Sequence, residues 1–269
     1  MDKVPAGHAF LDLSDYARPL ARWLARQLAP TPVTPIHLTL TFTLVGLLAA
    51  WLLALDRWLP LAGLLLLIKS WLDAADGSLA RVRARPSRVG RFLDSICDFG
   101  VNMLVFGGIG IGAWARTGQT GTLLLALVAL VCATLQVSAF NYYYVRYRAQ
   151  TGGDQTSQVD EAAPEGYPWD NPVVLRRLYR LYKLLYRWQD VLMERLDRWL
   201  VPGDAPLRPS FMTATTVLGL GTQLLVLAVC AFLGQPVWAL WLFVTVFNLY
   251  WLLLLIIRRF AHARSSHRA

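Results

Sequence analysis

Charge is scarce in this chain. Asp, Glu, Lys and Arg make up 16% of its 269 residues, against about 25% in a soluble globular domain. One or two soluble domains with a solvated, charge-rich surface are therefore excluded. Cysteine is scarce too. Cys97, Cys132 and Cys230 lie in apolar stretches, without the spacing of a disulfide framework or a zinc site. They read as small buried hydrophobes. The N-terminus lacks a basic segment followed by an apolar run, so no cleavable signal peptide is expected. No internal repeat is evident.

What the chain has instead is apolar length. Apolar residues make up 56%, and there are 11 Trp, a residue suited to membrane interfaces. A spanning helix needs about 20 mainly apolar residues. Six segments qualify, at 36–55, 59–80, 90–114, 123–143, 211–233 and 237–257. The expected fold class is all-α: a polytopic membrane protein with six transmembrane helices. The connections after the first, third and fifth segments hold only Arg57 and Arg116 of the 26 Lys and Arg residues. Excess Lys and Arg mark cytoplasmic connections, so both termini are expected in the cytoplasm, with the protein in the cell membrane. The net charge of +9 is thereby a matter of topology, and no nucleic-acid partner is expected.

The expected organisation has three parts: a cytoplasmic interfacial segment over 1–35, a six-helix domain over 36–260 with a cytoplasmic insertion at 149–208, and a tail over 261–269. In the first, Phe10, Leu13, Tyr16, Leu20, Trp23, Leu24 and Leu28 recur at helical spacing, and Pro19 kinks or restarts the helix. The stripe suits an amphipathic helix lying on the inner leaflet. Pro30, Pro32 and Pro35 then make a stiff corner. Within the insertion, 151–169 reads as a loop. Pro172 opens a helix, Pro202-Gly203 closes it, and the helix carries an apolar stripe with a basic first half. It suits anionic lipid, a dimer contact or a flap over a substrate site. The assembly expected is a homodimer among membrane lipids.

Chemistry concentrates at the end of the second segment and the start of the third. On a helix, Lys69, Asp73, Asp76, Gly77 and Ala80 share one face, with Arg81 at its edge. Gly90, Asp94, Asp98 and Asn102, four apart, share a face of the next helix. The connection is short, which predicts antiparallel neighbours with four converging carboxylates. One carboxylate at the centre of a spanning segment costs about 2.5–3.5 kcal/mol, and four repel one another. A hard divalent cation resolves both problems: Mg²⁺, Mn²⁺ or Ca²⁺ suits carboxylate oxygens. No His falls in this stretch, which argues against zinc. Gly77, Ala80 and Gly90 leave room beside the carboxylates. Arg81 sits where its forked guanidinium meets a phosphate. Lys69 either neutralises the carboxylates, with Asp73 one turn away, or snorkels to water. The residues alone point to metal-assisted phosphoryl chemistry at a membrane surface.

The stretch Asp73 to Asp98 resembles the signature of the CDP-alcohol phosphotransferase family, D-x₂-D-G-x₂-A-R-x₈-G-x₃-D-x₃-D, at all eight defined positions over 26 residues. The resemblance implies Mg²⁺ (or Mn²⁺) held by Asp73, Asp76, Asp94 and Asp98. Asp94 and Asp98 would be catalytic, with Asp98 also a general base. The CDP pocket would be formed by Asp73, Gly77, Ala80, Arg81 and Gly90. It implies a CDP-alcohol donor, CDP-diacylglycerol above all, a small polar alcohol acceptor, release of CMP, and a role in phospholipid biosynthesis. Many members carry Thr-Pro-Asn entering the first span; here Thr34-Pro35 is followed by Ile36. Arg146 and Arg148 resemble the basic ending of members that take phosphorylated polyols, whereas Phe99 stands where those members often have a basic residue. Arg146, Arg148 and Lys69 are the acceptor-binding candidates, and positive flanking of the span is the alternative for the two arginines. The same signature suits CDP-choline or CDP-ethanolamine with diacylglycerol as acceptor. A divalent-cation transporter is the alternative outside enzymes; it leaves Gly77–Arg81 without a use.

Overall fold

The computed structural model describes residues 4–153, 165–201 and 205–266. The middle of the 151–169 loop, the expected helix stop at Pro202-Gly203 and the end of the tail lie outside the described residues. Every regular element among the described residues is helical. Two short 3-10 turns precede α1 (Arg18–Leu28), α2 (Pro35–Ala54), α3 (Leu59–Val82), α4 (Arg88–Thr117) and α5 (Gly121–Gln150). The chain continues through α6 (Pro172–Leu200), α7 (Pro209–Thr215), α8 (Leu220–Phe232), α9 (Val237–Leu242) and α10 (Asn248–Ser266).

Local chemistry sets the starts of the helices. Pro35 opens α2, where the lost N–H has no helical partner to lose. The Thr34 hydroxyl accepts from the His37 N–H at 3.3 Å, and His37 Nδ1 accepts from the Thr34 N–H at 3.0 Å, a capping box closed by His. Ser87 caps α4 by accepting from the Gly90 N–H at 2.9 Å. Asn171 caps α6 by accepting from Val173 and Val174 at 2.9 and 3.2 Å. The helix expected from Phe10 begins only at Arg18, with Pro19 in its first turn. α1 packs through Ala21 and Ala25 against Ala75 and Leu79 of α3, leaving Leu20 and Trp23 exposed. Arg83 ties its end to the α3–α4 loop by donating to the Leu28, Ala29 and Thr31 carbonyls at 2.7, 3.2 and 2.6 Å.

Small residues decide which helices meet. A Cβ at Gly46 would lie 2.4 Å from Val101, at Gly108 2.5 Å from the Ala50 oxygen, and at Gly112 2.2 Å from the Leu53 oxygen. Only glycine permits this approach of α2 to α4, the usual small-residue contact of membrane helices. α2 also packs along α3. α3 and α4 make no comparable backbone approach; they face each other through side chains, Lys69 of α3 pairing with Asp98 of α4, and α2 lies against both. At the far end, Arg116 Nη1 pairs with Asp56 Oδ2 at 3.1 Å, placing the α2–α3 turn beside the end of α4.

Among the described residues, four helical stretches are long and apolar enough to cross a membrane: Pro35–Ala54, Arg88–Thr117, Gly121–Gln150 and Val237–Phe260. The fifth expected segment is broken, with Pro209–Leu218 and Leu220–Phe232 bent by 41° at Gly219. The N-terminal turn seats in that break. The Leu13 N–H donates to Thr216 Oγ1 at 3.1 Å, and a Cβ at Gly221 would fall 1.8 Å from the Ser14 oxygen. The remaining segment folds as the 24-residue α3, long enough to cross but carrying Lys69, Asp73, Asp76 and Arg81. Those four charges are the reason composition does not single it out.

Candidate functional site

The gap left between α3 and α4 is a cavity of about 1210 Å³, at the end of the bundle that holds the α3–α4 loop. Its walls come from residues 12–18 of the N-terminal segment, from the start of α2, from α3, α4, α5 and α6, and from Leu220, Gly221 and Gln223 of α8. Helical spacing brings Asp73 and Asp76 to it from α3, and Asp94 and Asp98 from α4.

Asp73, Asp76 and Asp94 each offer a carboxylate oxygen, and these three oxygens lie within 4.8 Å of one another. Asp76 is fixed by Thr39 of α2, whose hydroxyl donates to Asp76 Oδ2 at 2.8 Å. Asp94 Oδ1 is buried without a hydrogen-bond partner. A buried acceptor left in that state costs about 1–3 kcal/mol. Three carboxylates facing one point, one with an unmatched oxygen, fit a hard divalent cation. Asp98 is placed differently. It forms an ion pair with Lys69 Nζ, which also lies 3.8 Å from Asp73 Oδ2 and 4.9 Å from the Phe42 ring centre. Lys69 is fully buried and is not part of the cavity wall. Its Nζ faces the carboxylates rather than water.

Gly77, Ala80, Arg81 and Gly90 all line the cavity. A Cβ at Gly77 would sit 3.4 Å from Arg81 Nη1, and one at Gly90 3.5 Å from Ser87. Both are ordinary contacts, so neither glycine is demanded by the protein's own packing. Arg81 Nη2 donates to Ser78 Oγ at 3.2 Å. Thr34, Pro35 and Ile36 line the same end of the cavity.

The two acceptor candidates of α5 separate. Arg148 is buried on the cavity wall with its guanidinium 4.8 Å from the Tyr144 ring centre. Arg146 lies outside that wall, in an ion pair with Asp197 of α6. Asp197 also accepts from Tyr143 at 3.1 Å and lies 3.5 Å from Arg258 Nε of α10. This buried network ties α6 to α5 and α10.

Several wall residues were not singled out by the sequence. Thr39 is one; a hydroxyl in an apolar span one turn after Pro35 was the available signal. Others come from α6. Tyr186 donates to the Ser95 carbonyl at 2.7 Å and packs edge-on against Phe99. Burial, then the nearby Asp98, pushes its hydroxyl well above the ordinary tyrosine range. Gln189 accepts from the Ser138 hydroxyl. Ahead of α6, Asp170 accepts from Ser87 Oγ at 2.6 Å and from the Arg88 N–H at 2.9 Å, and the Trp169 indole donates to the Pro86 carbonyl at 2.8 Å. The insertion is thus fastened over the α3–α4 loop.

Part of this chain resembles known proteins. The chain is 32% identical over 139 residues to the archaetidylinositol phosphate synthase of Pyrococcus horikoshii, covering 52% of this chain and 66% of that one. It is 31% identical over 130 residues to the phosphatidylinositol phosphate synthase of Mycobacteroides abscessus, covering 48% and 56%. The match thus spans less than two thirds of either relative. A crystal structure of Mycobacterium tuberculosis phosphatidylinositol phosphate synthase with CDP-DAG bound superposes with a TM-score of 0.42 at 20% identity, covering 66% of this chain and 92% of that one. Residues 32–163, just under half of the chain and the segment that carries all four signature aspartates, match the CDP-alcohol phosphatidyltransferase family model.

Proposed function

We propose that this protein is an integral membrane phosphotransferase that moves a phosphatidyl group from CDP-diacylglycerol to a polar alcohol and releases CMP. One observation carries the reading: Asp73, Asp76 and Asp94 converge within 4.8 Å in a large cavity that Arg81, Gly77 and Gly90 also line. Mg²⁺ or Mn²⁺ held by these three aspartates would stabilise charge on the phosphoryl and CMP oxygens.

The chain's own residues do the rest. Arg81 holds the diphosphate, and Gly77, Ala80 and Gly90 give the CDP moiety clearance. Asp98 accepts the proton of the acceptor hydroxyl as that oxygen bonds to the phosphorus carrying diacylglycerol. The bond from this phosphorus to the CMP oxygen breaks, and CMP leaves as a phosphate monoester. Lys69 positions Asp98 and balances its charge. Arg148 is the acceptor-side cation. The names of the two relatives describe products that carry inositol phosphate, which favours a phosphorylated polyol and agrees with a buried Arg on the wall.

In this reading α3 and the bent α7–α8 pair also cross the membrane, giving six spans over 36–260. The site faces the cytoplasm, the insertion 149–208 and both termini lie on that side of the cell membrane, and α1 lies at its surface. The site then opens where a lipid donor arrives sideways and a soluble alcohol arrives from water.

The test uses the full chain in lipid nanodiscs with CDP-diacylglycerol and Mg²⁺, screening inositol phosphate, glycerol phosphate, serine, inositol and glycerol for CMP release. Release with one of these alcohols, lost on chelation and in Asp94→Asn, is expected. Release only from CDP-choline with diacylglycerol, or with none of the alcohols, overturns the reading.

A further inference from the structure

Helix α6 has two faces, and only one is used by the fold. Its inner face carries Tyr182, Tyr186, Gln189, Met193 and Asp197 against α4 and α5. Its outer face carries Leu181, Leu184, Trp188, Leu192 and Trp199, which are 41–73% exposed. At 100° per residue these five fall within an arc of about 80°. Arg176, Arg180, Lys183 and Arg187 fall together on one flank of that stripe. Residues 172–188 hold five basic residues, Arg177 being the fifth, and no acidic one. Among the described residues, Arg177, Arg180 and Arg187 make no ion pair.

An apolar stripe with its cations on one flank is the pattern of a helix lying in the plane of a bilayer surface, acyl chains to one side and phosphates to the other. The position agrees. α6 crosses α4 at Phe92 and Ser95 and α5 at Ser138 and Arg146, at the end of the bundle that holds the basic α3–α4 loop. An anionic leaflet complements these cations along the whole flank, whereas the second half of α6 in another copy would meet them with Arg195 and Arg198 as well as Asp190 and Glu194.

We propose that α6 is seated on an anionic lipid surface through this stripe and its basic flank, so that lipid supports the outer side of one cavity wall. The proposal concerns a surface rather than the reaction, and it stands or falls apart from the catalytic reading. Each cation near an anionic leaflet favours anionic lipid by about fivefold.

The full chain is placed in nanodiscs of phosphatidylcholine containing, at the same low mole fraction, either brominated phosphatidylglycerol or brominated phosphatidylcholine. The contribution of Trp188 is taken as the difference between the wild type and Trp188→Phe. Brominated phosphatidylglycerol is expected to quench Trp188 several-fold more strongly. In Arg180→Gln/Lys183→Gln/Arg187→Gln the two lipids should quench equally. Raising the ionic strength should lower the ratio in the wild type without any substitution. Equal quenching in the wild type at low salt overturns the anionic preference. Absence of quenching by either lipid, with a disulfide-linked dimer forming through Trp188→Cys, assigns the face to a second copy and overturns the proposal.

Discussion

Lys69 and Asp98, 29 residues apart on two helices with little backbone contact, form an ion pair beside the carboxylate cluster, the lysine fully buried and the aspartate on the cavity wall. The pair bridges α3 and α4 beside the cavity. Removing one partner of a buried pair strands the other charge, at a cost of about 3–5 kcal/mol. Lys69→Met should therefore lower the thermal midpoint markedly and abolish CMP release. In Lys69→Met/Asp98→Asn neither stranded charge of the pair remains, so part of the stability should return while turnover stays absent. A double variant as unstable as the single one would mean that Lys69 serves Asp73 instead, at 3.8 Å.

The three converging carboxylates make opposite predictions for the metal-free and metal-bound protein. Asp94→Asn keeps the shape and removes one negative charge from a group of oxygens within 4.8 Å of one another. Without divalent ion its thermal midpoint should rise above that of the wild type. With Mg²⁺ at about 100 times its Kd, the wild type should gain about 2.7 kcal/mol and the variant little. Turnover should fall by about 100-fold or more, and chelation of the wild type should do the same reversibly. Differential scanning fluorimetry with and without Mg²⁺ reads the first pair of outcomes, and CMP release reads the second.

Two sets of glycines should behave in opposite ways. Gly77 has room for a Cβ on the protein side, whereas at Gly108 a Cβ would meet the Ala50 oxygen at 2.5 Å. Gly77→Ala should keep or raise stability, by up to about 1 kcal/mol from helix propensity, while raising the KM for the CDP donor. Gly108→Ala should cost about 1–3 kcal/mol through overpacking and leave the donor KM of the folded fraction unchanged. Equal loss of stability in both would assign Gly77 to packing rather than to the donor.

The aspartates were legible because their spacing of three and four residues fixes a helix face whatever surrounds it. The separation of α3 from α4 was not. It depends on Gly46, Gly108 and Gly112 drawing α4 onto α2, and no local pattern says which helix a glycine will meet. The break at Gly219 had a local signal in Gly219 and Gly221, but its cause, the Ser14 turn seated there, lies some 200 residues away in the chain. Asp197 was read only as one residue of an amphipathic helix. Its partners Arg146 and Tyr143 are 51 and 54 positions distant, and a buried charge declares itself only when the fold brings its counter-ion.

That same network decides between the two arginines that end α5. Two residues apart on a helix, they point about 160° away from each other, and only Arg148 lines the cavity. Arg148→Ala should raise the acceptor KM by about 10- to 150-fold, the loss of one charge-assisted bond, with little change in the donor KM. Arg146→Ala should leave the acceptor KM alone. It removes one of the charged partners of Asp197 while Tyr143 and Arg258 remain, so it should cost about 1.5–3 kcal/mol of stability instead. Steady-state kinetics over both substrates, with thermal midpoints for the two variants, separates these outcomes. If Arg148→Ala leaves the acceptor KM unchanged, Arg148 is a basic flank of the span, and an unphosphorylated alcohol becomes the acceptor to test first.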